Sequence, residues 1–139
     1  MLRRIAVGVP VLVAALAMSG CGEDPFETPT NPNPAVPVTE TFNGVVTLRG
    51  ARTHSFSSSA SGTVTATLKF LVPDSQVQMG FALGTWNGSS CQLVIAKTDA
   101  VQSTVITGAV SALGSLCVYI HDVGNLVQPA EYEIEVVHP

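Results

Sequence analysis

The stretch "GTVTATLKF", Gly62–Phe70, decides the fold. Val64, Ala66, Leu68 and Phe70 fall on one side of a two-residue period, and Thr63, Thr65, Thr67 and Lys69 fall on the other. Side chains alternate across a strand, so this pattern predicts one face in a core and one in water. The β-branched threonines and valine suit a pleated surface. "AEYEIEVVH", Ala130–His138, repeats the rhythm, with Tyr132, Ile134 and Val136 inward and Glu131, Glu133 and Glu135 outward.

Working outward, six further strands are expected near 42–48, 53–58, 76–83, 92–97, 104–110 and 116–121. Turn residues separate them: Arg49-Gly50, Ser59 to Gly62, Pro73-Asp74, Asn87-Gly88, Lys97 to Asp99, Leu113-Gly114 and Gly124-Asn125. No amphipathic helix of useful length is visible. Seven or eight short strands in about 100 residues predict a single all-β domain over 40–139, an antiparallel β-sandwich. Two packed sheets are needed because one layer cannot cover both its faces. The glutamate row at 131, 133 and 135 reads as a solvated face that also discourages edge-to-edge pairing.

Ahead of the domain, Arg3 and Arg4 precede an apolar run, Ile5–Met18. That run suits a secretory signal and falls short of a spanning helix. Met18-Ser19-Gly20-Cys21 resembles the lipobox of bacterial lipoprotein signal peptides, with Met18 where leucine is typical. The resemblance implies cleavage after residue 20 and lipid attachment at Cys21. Two or three acyl chains would hold the chain durably to a bilayer, where one holds it only reversibly. The expected location is the cell envelope. Gly22 in place of an aspartate favours the outer membrane of a Gram-negative cell.

Residues 21–39 then read as a linker. Pro25, Pro29, Pro32, Pro34 and Pro37 restrict the backbone, and Phe26 is nearly its only large apolar residue. The eighteen residues after Cys21, 22–39, reach at most roughly 55 Å. Loss of Arg3 and Arg4 takes the formal charge from −4 to −6, leaving Arg49, Arg52, Lys69 and Lys97 as the cations. Four scattered cations make no basic patch, which excludes nucleic acid as a partner. The expected partners are the membrane, through the anchor, and an envelope protein or polysaccharide.

Cys91 and Cys117 remain after lipidation. Two thiols in an exported domain are expected to form a disulfide. "LGTWNGSSC", 83–91, holds the only tryptophan, beside a hairpin-type Asn87-Gly88 turn. Trp86 reads first as a side chain covering one end of the sandwich. Its second reading, with Tyr119 or Tyr132, is a stacking platform for a sugar. Asp122 and Asn125, with Asp99, are loop oxygen donors that could serve calcium, although "HDVGN" is not an EF-hand loop and turn formation is the commoner role. Neighbouring His121 and Asp122 should point to opposite faces of a strand, a poor geometry for a dyad. No Gly-x-Ser-x-Gly elbow, His-Glu-x-x-His or phosphate loop is present, so no catalytic residues or cofactor are expected. A carbohydrate-binding module is the alternative function, and a hydrolase the third.

Phe42-Asn43-Gly44, "HSF" at 54–56, "SGTVTATL" at 61–68, "GSLCVYIHDVGN" at 114–125 and "YEIEVVHP" at 132–139 together resemble the bacterial pre-peptidase C-terminal domain. The resemblance spans nearly all of 41–139. It implies a jelly-roll-like sandwich with an accessory, adhesive or targeting role, sometimes with calcium. Two departures stand out: no peptidase is attached, and Leu116 occupies a frequent tyrosine position. The family contributes no catalytic residues.

Overall fold

A computed structural model of the chain describes residues 35–139. The expected signal segment, Cys21 and most of the expected linker lie outside the described residues. The domain is all-β, with eight antiparallel strands: β1 (Val38–Val46), β2 (Ala51–Ser58), β3 (Gly62–Val72), β4 (Met79–Trp86), β5 (Cys91–Ala100), β6 (Val105–Val110), β7 (Gly114–Asp122) and β8 (Ala130–His138).

One sheet runs β1-β8-β3-β6 and the other β2-β7-β4-β5. The pairs β1·β8, β2·β7, β3·β6 and β4·β5 nest about the β4–β5 hairpin, as if one long hairpin had been rolled up. Every other connection between consecutive strands crosses from one sheet to the other. This is a jelly roll, the arrangement the family resemblance implies.

The inner faces of both sheets supply the core, with Leu68, Leu71, Met79, Phe81, Ile120, Ile134 and Tyr132 among its largest fully buried side chains. The period-two reading of β3 holds through Leu68 and then fails. A bulge between Leu68 and Phe70 inserts Lys69 as an extra residue. Downstream side chains exchange faces, so Leu71 is fully buried and Phe70, expected inside, is 46% exposed. β8 is an interior strand flanked by β1 and β3. The glutamate row therefore guards no edge. It lies on the outer face of that sheet, where Glu135 reaches Lys69 at 3.7 Å.

Two strands begin three or more residues from where they were expected. β1 starts at Val38, inside the expected linker, because Val38 and Thr39 continue the ladder opposite His138 and Val137. β4 runs over 79–86 where 76–83 was expected. Gln76 and Val77 are held in a turn by the Asp74 side chain and carbonyl, so pairing begins only at Met79.

The two flanks of the sandwich differ. At the β1/β2 flank, Phe42 stacks on His54 with ring centroids 4.9 Å apart, and His54 Nε2 is hydrogen-bonded to Tyr132 Oη at 2.6 Å. Gly44 leaves the space that Tyr132 occupies; a Cβ there would lie 2.8 Å from its hydroxyl oxygen. Burial, assisted by Arg52, lowers the His54 pKa. Burial pushes Tyr132 up to about 12 against a smaller opposing effect of Arg52. Both rings therefore stay neutral near pH 7. The β5/β6 flank is instead an open apolar cleft of about 290 Å³, walled by Val64, Leu83, Val94, Ile95, Val110 and Leu116.

Candidate functional site

The outer face of the β2-β7-β4-β5 sheet carries the candidate site. Alternation along β7 sends Leu116, Val118 and Ile120 toward the core and leaves Cys117, Tyr119 and His121 on the outside. Cross-strand register places Thr53 opposite Tyr119, Gly84 opposite Cys117 and Trp86 opposite Cys91. A second bulge, between Leu83 and Gly84, then bends the start of β5 over β4. The Gln92 backbone lies directly on Gly84, where any Cβ would meet it. This bend brings Cys91 to within 5.8 Å of Cys117, Cα to Cα, and the two form a disulfide.

The result is a shallow groove of about 390 Å³ lined by Thr53, Trp86, Ser89, Ser90, Cys91, Leu93 and Tyr119. Trp86 and Tyr119, singled out separately in the sequence, thus share one surface. Trp86 lines this groove. Tyr132 does not join them, because it is buried between the sheets and bonded to His54. Residue type alone does not mark Leu93 or the hairpin serines as ligand contacts.

The hairpin carrying Trp86 is internally braced. Asn87 Oδ1 accepts from Ser89 N at 3.0 Å, Ser90 N at 2.8 Å and Ser89 Oγ at 3.1 Å. Asn87 Nδ2 donates to Ser90 Oγ at 3.1 Å. Gly88 takes φ 97°, the left-handed conformation glycine adopts without a Cβ clash. Beside the groove, His121 packs on Tyr119 with centroids 5.1 Å apart and lies over Gly80, where a Cβ would strike its ring. Its Nδ1 is buried without a hydrogen-bond partner among the described residues.

Asp122 and Asn125 lie apart from this groove. Asp122 points inward, away from His121, and is buried. Its Oδ1 accepts from the backbone N–H groups of Gly124, Asn125 and Leu126 at 2.8, 2.9 and 3.1 Å, and Oδ2 accepts from Arg49 N at 2.8 Å. Asn125 Nδ2 donates to the Gln78 carbonyl at 3.1 Å. Both carboxylate oxygens are thus committed to tying the β1–β2 turn to the β7–β8 loop. Among the described residues, no group of three or more His, Cys, Asp or Glu side chains is placed to hold a metal ion.

Burial alone would raise the Asp122 carboxyl, but the four backbone donors outweigh it and hold the pKa below the ordinary aspartate value. Asp122→Ala is expected to cost about 2–3 kcal/mol, since it strands several partly buried donors. The stabilisation is complete above the unfolded pKa of about 3.9 and is lost as pH falls through the lower folded value. Asp122→Asn should flatten the acid limb of the stability profile. Urea unfolding between about pH 2 and 6 measures both effects.

The remaining histidines are engaged in packing. His138 is buried, with Nε2 3.0 Å from Glu40 Oε1 and Nδ1 3.1 Å from the Pro139 carbonyl. No family model matches this chain, and no curated protein matches it either.

Proposed function

We propose that this protein is a lipid-anchored, non-catalytic binding module of the cell envelope. Cys21 carries the lipid, the proline-rich segment acts as the spacer, and the jelly roll is the displayed part. The observation that carries the binding role is the groove on the outer face, where a braced hairpin and a disulfide hold Trp86 beside Tyr119. The opposite outer face carries threonines, the glutamate row and the exposed Phe70. The histidines support a binding role over a hydrolytic one: His54 and His138 are tied into the flank packing, and His121 points away from Asp122. The resemblance to pre-peptidase C-terminal domains fits the same accessory role.

The lipid tether is tested by Cys21→Ser. That variant is expected to move from the membrane to the soluble fraction and to lose metabolic labelling with palmitate. Unchanged fractionation contradicts the proposal.

A further inference from the structure

We propose that the Trp86–Tyr119 groove binds a neutral oligosaccharide; this rests on the binding-module reading and names its ligand class. The argument starts from what the lining offers. Trp86, Tyr119 and Leu93 give apolar and aromatic surface, while Thr53, Ser89 and Ser90 give hydroxyls. A pyranose ring presents the complementary pair: an apolar C–H face and a rim of hydroxyls that both donate and accept. Few precisely placed polar groups around an aromatic floor are what a small-molecule site requires.

The serines are set up for such a rim. Ser89 Oγ donates to Asn87 Oδ1, which leaves its oxygen to accept. Ser90 Oγ accepts from Asn87 Nδ2, which leaves its own hydrogen to donate. One acceptor and one donor are therefore fixed side by side on a turn that is already ordered. Binding then costs little in loop ordering.

Charge decides between ligand classes that would all stack on an aromatic ring. Among the described residues, no acidic or basic side chain lines the groove. A nucleotide or an anionic polysaccharide would bring phosphates or carboxylates with no lining cation to meet them, onto a domain of negative net charge. A neutral sugar leaves no charge unpaired.

Trp86 is the only tryptophan in the chain, so its emission reports on this groove alone. The full chain, held in a detergent without a sugar head group, is titrated with cellohexaose, maltohexaose, chitohexaose, xylohexaose and mannohexaose. At least one is expected to shift or quench the Trp86 emission saturably. Tyr119→Ala should weaken that binding tenfold or more, and Ser90→Ala severalfold, with wild-type circular dichroism and melting. Trp86→Ala should abolish binding by calorimetry. A flat response to all five sugars overturns the proposal. So does a response that survives Tyr119→Ala and Ser90→Ala unchanged, or one given only by a synthetic peptide of residues 25–38, which would make the groove a reader of proline-rich peptide. The Cys21→Ser fractionation is scored separately, so a failed titration is distinguishable from a failed tether.

Discussion

Gly84→Val is expected to destabilise the domain by about 4–5 kcal/mol and to open the groove. A Cβ at this position would fall on the Gln92 carbonyl, 2.7 Å from its carbon and 3.0 Å from Leu93 Cα. The obstructing atoms are backbone, so no rotamer change relieves the clash. β5 would have to lift from β4, breaking the bulge that carries Leu93 and Cys91 into the groove. Because net stabilities of small domains are about 5–15 kcal/mol, the loss is a large share of the total. It corresponds to a fall in melting temperature on the order of 20–30 °C. Gly88→Ala is the contrast. Among the described residues nothing lies within 4 Å of a Cβ there, and only the positive φ is at stake. Its cost should be about 1–2 kcal/mol. Urea unfolding of the two variants reads the difference. If Gly84→Val lies within about 1 kcal/mol of the wild type, β5 does not fold over β4 as described.

The paired change Cys91→Ser, Cys117→Ser is expected to cost about 3.5 kcal/mol. The bridge spans a separation of 26 residues, and the chain-entropy relation assigns a loop of that size this much stabilisation. Reductant added to the wild type should reproduce the effect, while the serine variant should not respond to it. Oxidised wild-type protein should yield a Cys91–Cys117 linked peptide by non-reducing mass spectrometry. A second consequence follows from position. Cys91 begins the strand segment that bends over Gly84, and it lines the groove itself. Loss of the bridge should therefore weaken sugar binding severalfold even at temperatures where the variant remains folded. Equal melting of variant and wild type would remove the bridge from the stability account.

Strands whose two faces meet different surroundings were the ones readable from sequence. In β8 and the first half of β3, alternation between core and water is written directly into the residues. Lys69 shows where that ends: an inserted residue changes the phase without changing composition, so Phe70 and Leu71 exchanged places unannounced. β4 hid its limits for a different reason. Met79 to Gly84 are all buried, because His121 covers Gly80 on the outer face and the bent β5 covers Gly84. A strand shielded on both sides has no alternation to read. The jelly-roll order depends on pairings as distant as Val38 with His138, which local pattern does not encode.

The site was half readable on similar grounds. Trp86, Tyr119 and the two cysteines stood out by residue type, but their meeting depends on the β4·β7 register and on the Gly84 bulge. Asp122 was recognisable as an oxygen donor in a loop. Its four backbone partners come from the β1–β2 turn and its own loop, and the long-range one, Arg49, is brought close only by the roll of the sheets.

Intact mass spectrometry of the protein extracted from its native membranes tests the central claim, a binding domain carried on a lipid tether, most directly. The account predicts a mature chain whose first residue is Cys21, bearing the added mass of two or more acyl chains. A chain starting at any other residue, or one with an unmodified Cys21, contradicts it.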